Sequence, residues 1–516
     1  MYDLFYSPVK ERSFSPLHLF KLGCFIFFVF ILNFHSKAQS IPITDTVEYA
    51  KEKAYEKNFA EADRILTEFN NSSPDLNSFR LHARVLFWMK DFDRSKVVHQ
   101  KALAAFPEEN ILKLEYGIFL FDIGKYKLSA SFLEDYIVSD SSNNEALTRL
   151  AYMHLWNGRT ETSKKYAKTI LKLDPENVEA TEILKQVHNY TSPYVQINAG
   201  VFSDDQPLNS NFRELVTGWY RSWILSPVIS VKHNAATVSN NSYSSTWLQL
   251  MNSINLNMSK TTISLKGGVF NQGKAFTTGA VYLNQKLSKD FSLFTGVERR
   301  PYQYTISSIK QPLIQDFYTI SINYNLKDKW LGKAAYELQQ FDDNNHIHTT
   351  YLWMLLPLLH KGNFSFKGGY GFNYSTSLLN RFTLKDSSTS NRNFPLSTKQ
   401  TEGIYDPYFT PQNQIVHSIL ASVNIKTSDK FFISLRSSIG VSAKADAPSF
   451  IVKEQNNQYS VHKSYSVLAY TPVEAVAEMN FLISPRFTIK SSYTYNSLFF
   501  YTSHSGVLGL KYSFIP

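Results

Sequence analysis

The sequence predicts an α-helical repeat solenoid followed by an antiparallel transmembrane β-barrel of about 16 strands. Three observations carry this expectation. Four helical segments in the first third of the chain repeat in phase. Short segments of alternating polarity fill the remainder. Aromatic residues make up 15% of the chain, with 31 Tyr and 39 Phe. That excess suits strands that carry an aromatic girdle at each membrane interface.

The chain has 516 residues, 43% of them apolar and 19% charged, which excludes disorder as its overall state. Residues 1–38 are expected to be a signal peptide. Lys10, Arg12 and Lys21 precede "LGCFIFFVFILNF" (22–34), an apolar core below the ~20 residues of a spanning helix. "SKA" (36–38) supplies small residues before an expected cleavage after Ala38. Cys24, the one cysteine, lies inside that core, so neither a disulfide nor thiol chemistry is expected after processing. After residue 38 no run of ~18 apolar residues occurs, which excludes helical membrane spans.

Residues 44–190 are predicted to be the repeat domain. "KNFAEADRILTEFNNSSP" (57–74), "KDFDRSKVVHQKALAAFP" (90–107), "GKYKLSASFLEDYIVSDS" (124–141) and "GRTETSKKYAKTILKLDP" (158–175) align without gaps. Phe59, Phe92, Tyr126 and Thr160 fall at equivalent positions, spaced 33, 34 and 34. Ala62, Ser95, Ser129 and Ser163 follow three residues later, and Ala50, Ala83, Gly117 and Ala151 stand upstream. Pro74, Pro107 and Pro175 close three of the repeats. This pattern resembles the tetratricopeptide repeat, a pair of antiparallel helices with small residues where they touch. "VEATEILKQVHNY" (178–190) is expected to cap the array. Such a solenoid presents a groove to partner proteins and does not catalyse.

Residues 191–516 are predicted to form the barrel. "FYTISINYNL" (317–326) sets Tyr318, Ile320, Ile322, Tyr324 and Leu326 against Thr319, Ser321, Asn323 and Asn325. Short polar turns at 287–290, 326–329, 360–363, 426–430 and 483–486 are each followed by an aromatic: Phe291, Trp330, Phe364, Phe431 and Phe487. Longer polar connections are expected at the other end, at 376–412 and 442–465. The ending "GVLGLKYSFIP" alternates to Phe514. It resembles the signal by which the barrel-assembly machinery recognises its clients, with Ile515 and Pro516 added.

Alternation also sorts the charges. The repeats carry net −3 and the barrel net +11. Lys333, Lys367, Arg436, Glu474 and Glu478 are expected to face the lumen and line a water-filled path. No G-x-S-x-G, H-E-x-x-H or phosphate loop occurs, so the chain is not expected to be an enzyme or to hold a cofactor. "HIH" (346–348), near Asp342 and Asp343, and "SHS" (503–505) read as polar loop composition, not as metal or nucleophile sites. Nucleic acid is not an expected partner.

A signal peptide, tetratricopeptide-like repeats and a C-terminal barrel resemble the layout of the cellulose and poly-N-acetylglucosamine export porins. "YDPYFTPQNQIVHSILASVNI" (405–425) is similar to a Tyr-Phe-Ser-Pro-Gln stretch of the cellulose exporters, with Thr410 in place of Ser. The resemblance implies an outer-membrane pore of a Gram-negative bacterium that exports a polysaccharide. It also implies repeats in the periplasm that dock periplasmic or inner-membrane proteins, and a barrel in outer-membrane lipid. Tyr405, Tyr408, Phe409 and Gln412 are the candidate polysaccharide contacts, read as exposed rings and an amide at the exit. A second resemblance is to the YaiO-type outer-membrane family, carried by Trp88 in "RVLFWMKDFDRS" (84–95) and Trp156 in "MHLWNGRTETS" (153–163). It implies a binding or structural barrel without transport.

Overall fold

The computed structural model describes residues 46–515 except 206–207, 239–240, 257–259, 327–328, 385–399, 402, 456–457 and 500. The expected signal peptide and Cys24 lie outside the described residues. The chain divides between Val187 and His188 into two compact units.

Nine helices precede the barrel among the described residues. They are α1 (Thr46–Tyr55), α2 (Phe59–Ser72), α3 (Leu76–Trp88), α4 (Phe92–Ala105), α5 (Asn110–Asp122), α6 (Tyr126–Ser139), α7 (Asn144–Trp156), α8 (Thr160–Leu173) and α9 (Val178–Thr191). They form four pairs and a cap. Each second helix of a pair begins at one of the aligned residues Phe59, Phe92, Tyr126 and Thr160. The small residues mark where paired helices touch. Ser95 Oγ donates to the Ala83 carbonyl at 2.9 Å, and Ser129 Oγ donates to the Gly117 carbonyl at 2.7 Å. A Cβ on Gly117 would stand 2.6 Å from Leu133, so a side chain there would drive the pair apart.

The turns inside the pairs repeat as well. Lys57, Lys90, Gly124 and Gly158 all adopt φ between 62° and 75°. The following amides of Asn58, Asp91, Lys125 and Arg159 donate back to Lys53, Leu86, Leu120 and His154. This is the helix-ending bond pattern that a left-handed residue permits.

The second unit is a β-barrel. Its strands are β1 (Tyr194–Asp204), β2 (Leu208–Gly218), β3 (Pro227–Val238), β4 (Asn241–Leu256), β5 (Thr261–Asn271), β6 (Ala275–Lys286) and β7 (Phe291–Tyr302). A short helix, α10 (Ile306–Lys310), precedes β8 (Leu313–Asn325), β9 (Leu331–Phe341), β10 (His346–Lys361) and β11 (Phe364–Ser377). Three short strands follow: β12 (Phe382–Leu384), β13 (Gln400–Thr401) and β14 (Gly403–Tyr405). The rest are β15 (Gln414–Lys426), β16 (Phe431–Gln455), β17 (Gln458–Tyr470), β18 (Val473–Ser484), β19 (Phe487–Ser497) and β20 (Thr502–Ser513).

Neighbours pair antiparallel all the way round, and β20 closes on β1 with Tyr194 opposite Ser513. β12 to β14 belong to the β11–β15 connection. β17 and β18 are two parts of one stave, interrupted at Thr471 and Pro472, and β16 pairs with both. The closed barrel therefore has sixteen staves. Closure leaves no open edge in the wall and satisfies its backbone groups internally.

The expected loop at 442–465 is corrected here. Those residues continue β16 and β17 as a paired ribbon, from Ala443 opposite Tyr470 to Gln455 opposite Gln458. Large aliphatic residues are sparse along it, so the alternation that reveals a lipid-facing strand is weak. Backbone pairing holds the ribbon instead.

The outward faces are apolar. Ile197, Val201, Leu250, Val281, Ile320 and Ile419 are exposed, as are Leu215, Leu265, Val297, Tyr336 and Ile439, which lie in register with four of them on neighbouring strands. The inward faces carry buried Ser321, Ser418, Ser422, Ser434 and Ser438. No described helix is long and apolar enough to cross a membrane.

Candidate functional site

The site consists of the barrel interior and its loop-end mouth. Inside, charged side chains gather on one face, and some of them are ion-paired. Glu298, buried on β7, lies 3.6 Å from Lys266 and 3.2 Å from Arg300. Lys333 stands over the Tyr351 ring at 5.2 Å, and the Tyr351 hydroxyl donates to Glu337 at 3.0 Å. Arg436 pairs with Glu478 at 2.5 Å. Glu474 is buried two register positions from Arg436 on the partner strand. Lys367 sits opposite buried Ser422, on the inward face of β11. These side chains share one face of their strands, and the exposed aliphatics share the other.

The mouth is built from two connections that fold together. The β7–β8 connection carries α10. Ile309 packs in an apolar cluster with Leu208, Ala236 and Val238 of β2 and β3, several staves away. Gln272 Nε2 donates to the carbonyls of Ser308 and Ile309, the latter at 2.6 Å. The β11–β15 connection then docks on α10. Thr305 Oγ1 donates to the Pro407 carbonyl, and Ser307 Oγ donates to Asp406.

Tyr408 anchors this layer. Its ring stacks on Phe341 at 3.6 Å and 6°, with Tyr302 edge-on at 6.2 Å. Its hydroxyl donates to Asp343 at 2.7 Å, and Arg381 pairs with the same carboxylate. Burial pushes the Asp343 carboxyl up, but the hydroxyl, the Asn345 amide and the guanidinium outweigh it. The net result lies below the ordinary carboxylate range.

Of the candidate exit contacts, the exposure expected of Tyr408 is corrected on this basis, and Tyr405, Phe409 and Gln412 are half-buried. Tyr408 is 0% exposed, so it presents no face to a sugar. Tyr405 is half-buried, edge-on to Phe382 at 5.1 Å and to Phe409 at 4.8 Å. Phe409 also meets Phe499 at 5.9 Å. Gln412 Nε2 donates to Ser377 Oγ at 2.6 Å. The "YDPYFTPQ" rings pack on one another, on Phe382 of the same connection, on the strand ends at Tyr302 and Phe341 and on Phe499, because burying them there removes large apolar area from water. Sequence reasoning missed Asp343, Arg381 and Thr305, which lie 65, 27 and 103 residues from Tyr408. Only the dipeptide Asp342-Asp343 at a tight turn signalled a carboxylate there.

This chain is a tetratricopeptide-like helical array joined to a closed sixteen-stranded barrel. No family model matches it, and no curated protein matches it. Among solved structures it is similar to a bacterial polysaccharide outer membrane secretin, with 6% identity and a TM-score of 0.45. That match covers 63% of this chain and 99% of the other. The repeats are similar to MamA from Desulfovibrio magneticus RS-1, with 20% identity and a TM-score of 0.27. Here 28% of this chain and 85% of the other are covered. A tetratricopeptide repeat protein from Parabacteroides merdae matches at 9% identity and a TM-score of 0.27. It too covers 28% of this chain, and 58% of its own.

Proposed function

We propose that the chain is an outer-membrane pore that exports an exopolysaccharide, with periplasmic repeats docking partner proteins. The observation that carries the pore reading is the inverted polarity of the barrel: charged and polar residues inside, aliphatic residues outside. A sixteen-stranded barrel of this kind is wide enough for an aqueous path. The export reading rests on the layout of signal, repeats and barrel. A neutral or weakly anionic polymer suits an interior in which Glu298 and Glu478 are ion-paired and the barrel carries net +11.

The folded mouth favours a second reading, a YaiO-type barrel that binds without transport. Conductance in planar bilayers separates the two. Wild type is expected to conduct weakly, and Asp343→Asn with Arg381→Gln is expected to raise the conductance severalfold by loosening the Tyr408 anchor. A folded double variant that stays closed favours the second reading. Cells lacking the chain are expected to retain polymer that wild-type cells release, and normal release would sink export.

A further inference from the structure

Three tyrosine–histidine pairs recur on the outward face of the barrel. Tyr336 and His348 join β9 to β10, Tyr370 and His417 join β11 to β15, and Tyr493 and His504 join β19 to β20. In each, the tyrosine hydroxyl meets Nδ1 at 2.7 Å. Each pair is diagonal in its ladder. Tyr336 lies opposite Thr350 while His348 lies opposite Leu338. Tyr370 lies opposite Ile419 while His417 lies opposite Phe372. Tyr493 lies opposite Gly506 while His504 lies opposite Tyr495. Long side chains bridge that diagonal.

The depth is shared too. His348 lies two residues into β10 from His346, His417 three into β15 from Gln414, and His504 two into β20 from Thr502. All three strands enter the barrel from the loop end. Further along the same faces stand the exposed aliphatics Leu352 and Met354, Ile419, and Leu508 and Leu510. The pairs therefore sit at the loop-side border of the apolar belt.

The pairing has a chemical consequence. A tyrosine hydroxyl that donates to Nδ1 leaves the ring proton on Nε2. Among the described residues no Nε2 of the three has a hydrogen-bond partner. An N–H left unpaired against hydrocarbon is costly, whereas the headgroup layer holds strong acceptors. Lys444, in register with Ile415, adds a cation beside the His417 pair, while Asn413 holds the neighbouring Asp446 at 2.7 Å.

We propose that the three tyrosine–histidine pairs bind phosphate oxygens of anionic lipid headgroups in the leaflet at the loop end of the barrel. This rests on the membrane reading above. The tyrosine sets the tautomer, and the histidine Nε2–H donates to the phosphate.

The test uses the full chain in phosphatidylcholine vesicles with spin-labelled phosphatidic acid or spin-labelled phosphatidylcholine as the probe. Electron spin resonance then gives the preference of the barrel surface for the anionic lipid. Wild type is expected to prefer phosphatidic acid several-fold, because its monoester phosphate is a more highly charged acceptor than the diester of phosphatidylcholine. His348→Phe, His417→Phe and His504→Phe together should bring the preference close to parity, with single changes giving partial losses. Tyr336→Phe, Tyr370→Phe and Tyr493→Phe together should lower it without abolishing it, because Nδ1 then competes for the proton. Equal preference in wild type and the triple histidine variant, with both barrels heat-modifiable, overturns the inference and leaves the membrane reading intact. A wild-type chain that fails to insert overturns both.

Discussion

The repeats and the barrel sort the same residue types in opposite directions. In the repeats Leu66, Leu86, Leu120 and Leu150 are fully buried, and Glu48–Lys51 and Glu61–Arg64 pair at the surface. In the barrel Ile320 and Ile419 are exposed while Glu298 and Glu337 are buried. Exposure thus marks the polar face in the repeats and the apolar face on the outer wall of the barrel. The helices fold against water and hide their apolar stripe, whereas the staves fold against hydrocarbon and hide their charges. The small residues differ likewise: Ser95 and Ser129 bond a facing helix backbone, whereas Ser418 and Ser438 line the inner wall.

One substitution made in both units tests this contrast most strongly. Ile419→Lys at the middle of β15 is expected to destabilise the barrel by ~2–4 kcal/mol in bilayers. Val138→Lys on α6, at a residue 86% exposed, is expected to change the stability of the repeats by less than ~0.5 kcal/mol. Denaturant titration of the two variants in the same vesicles measures both. Similar effects would mean that the outer wall of the barrel meets water.

Acid sharpens the contrast from the other side. His99 is buried between Tyr116 at 5.2 Å and Phe119 at 5.0 Å. Burial pushes its imidazole down to about 4 from 6.5, against a smaller upward pull from Glu115. The unfolded chain therefore takes up this proton before the folded chain does. The stability is fully present above pH 6.5 and is lost as pH falls towards 4, by up to about 3 kcal/mol. His99→Phe is expected to remove that slope, read from the melting temperature of the repeats at pH 7 and pH 5. An unchanged slope would place the acid sensitivity elsewhere.

The smallest effect concerns backbone strain. Lys57 and Lys90 hold φ of 62° and 64° where Gly124 and Gly158 hold equivalent places. A side chain in that region costs about 1 kcal/mol, partly offset because glycine loses more entropy on folding. Lys90→Gly is expected to stabilise the repeats by roughly 0.5 kcal/mol, seen as a small rise in denaturant midpoint. A fall would show that the lysine side chain contributes more than its conformation costs.

Much of this fold was legible because its patterns are local. Phe59, Phe92, Tyr126 and Thr160 open their helices, and Tyr318, Ile320 and Ile322 alternate as a half-apolar stave must. What stayed hidden depends on register or on a remote partner. The ribbon at 443–470 carries few large aliphatics, so its pairing was invisible until the two halves met. Tyr408 looked exposed because its covers are remote in sequence: Phe341 and Tyr302 end β9 and β7, and Asp343 lies in the turn after β9. The tyrosine–histidine pairs are separated by 12, 47 and 11 residues, and only a known register turns them into one repeated motif.

The seam between β1 and β20 also imposes an order of events. Tyr194 must find Ser513 across about 320 residues of chain, whereas Ser95 finds Ala83 across twelve. Loop closure over short spans is fast, and topologies dominated by distant pairs are slow. The array is therefore complete long before the wall can close. Until β20 arrives, β1 has one bare edge and searches as an unfinished sheet, so the growing barrel depends on something to shield that edge from chance pairing.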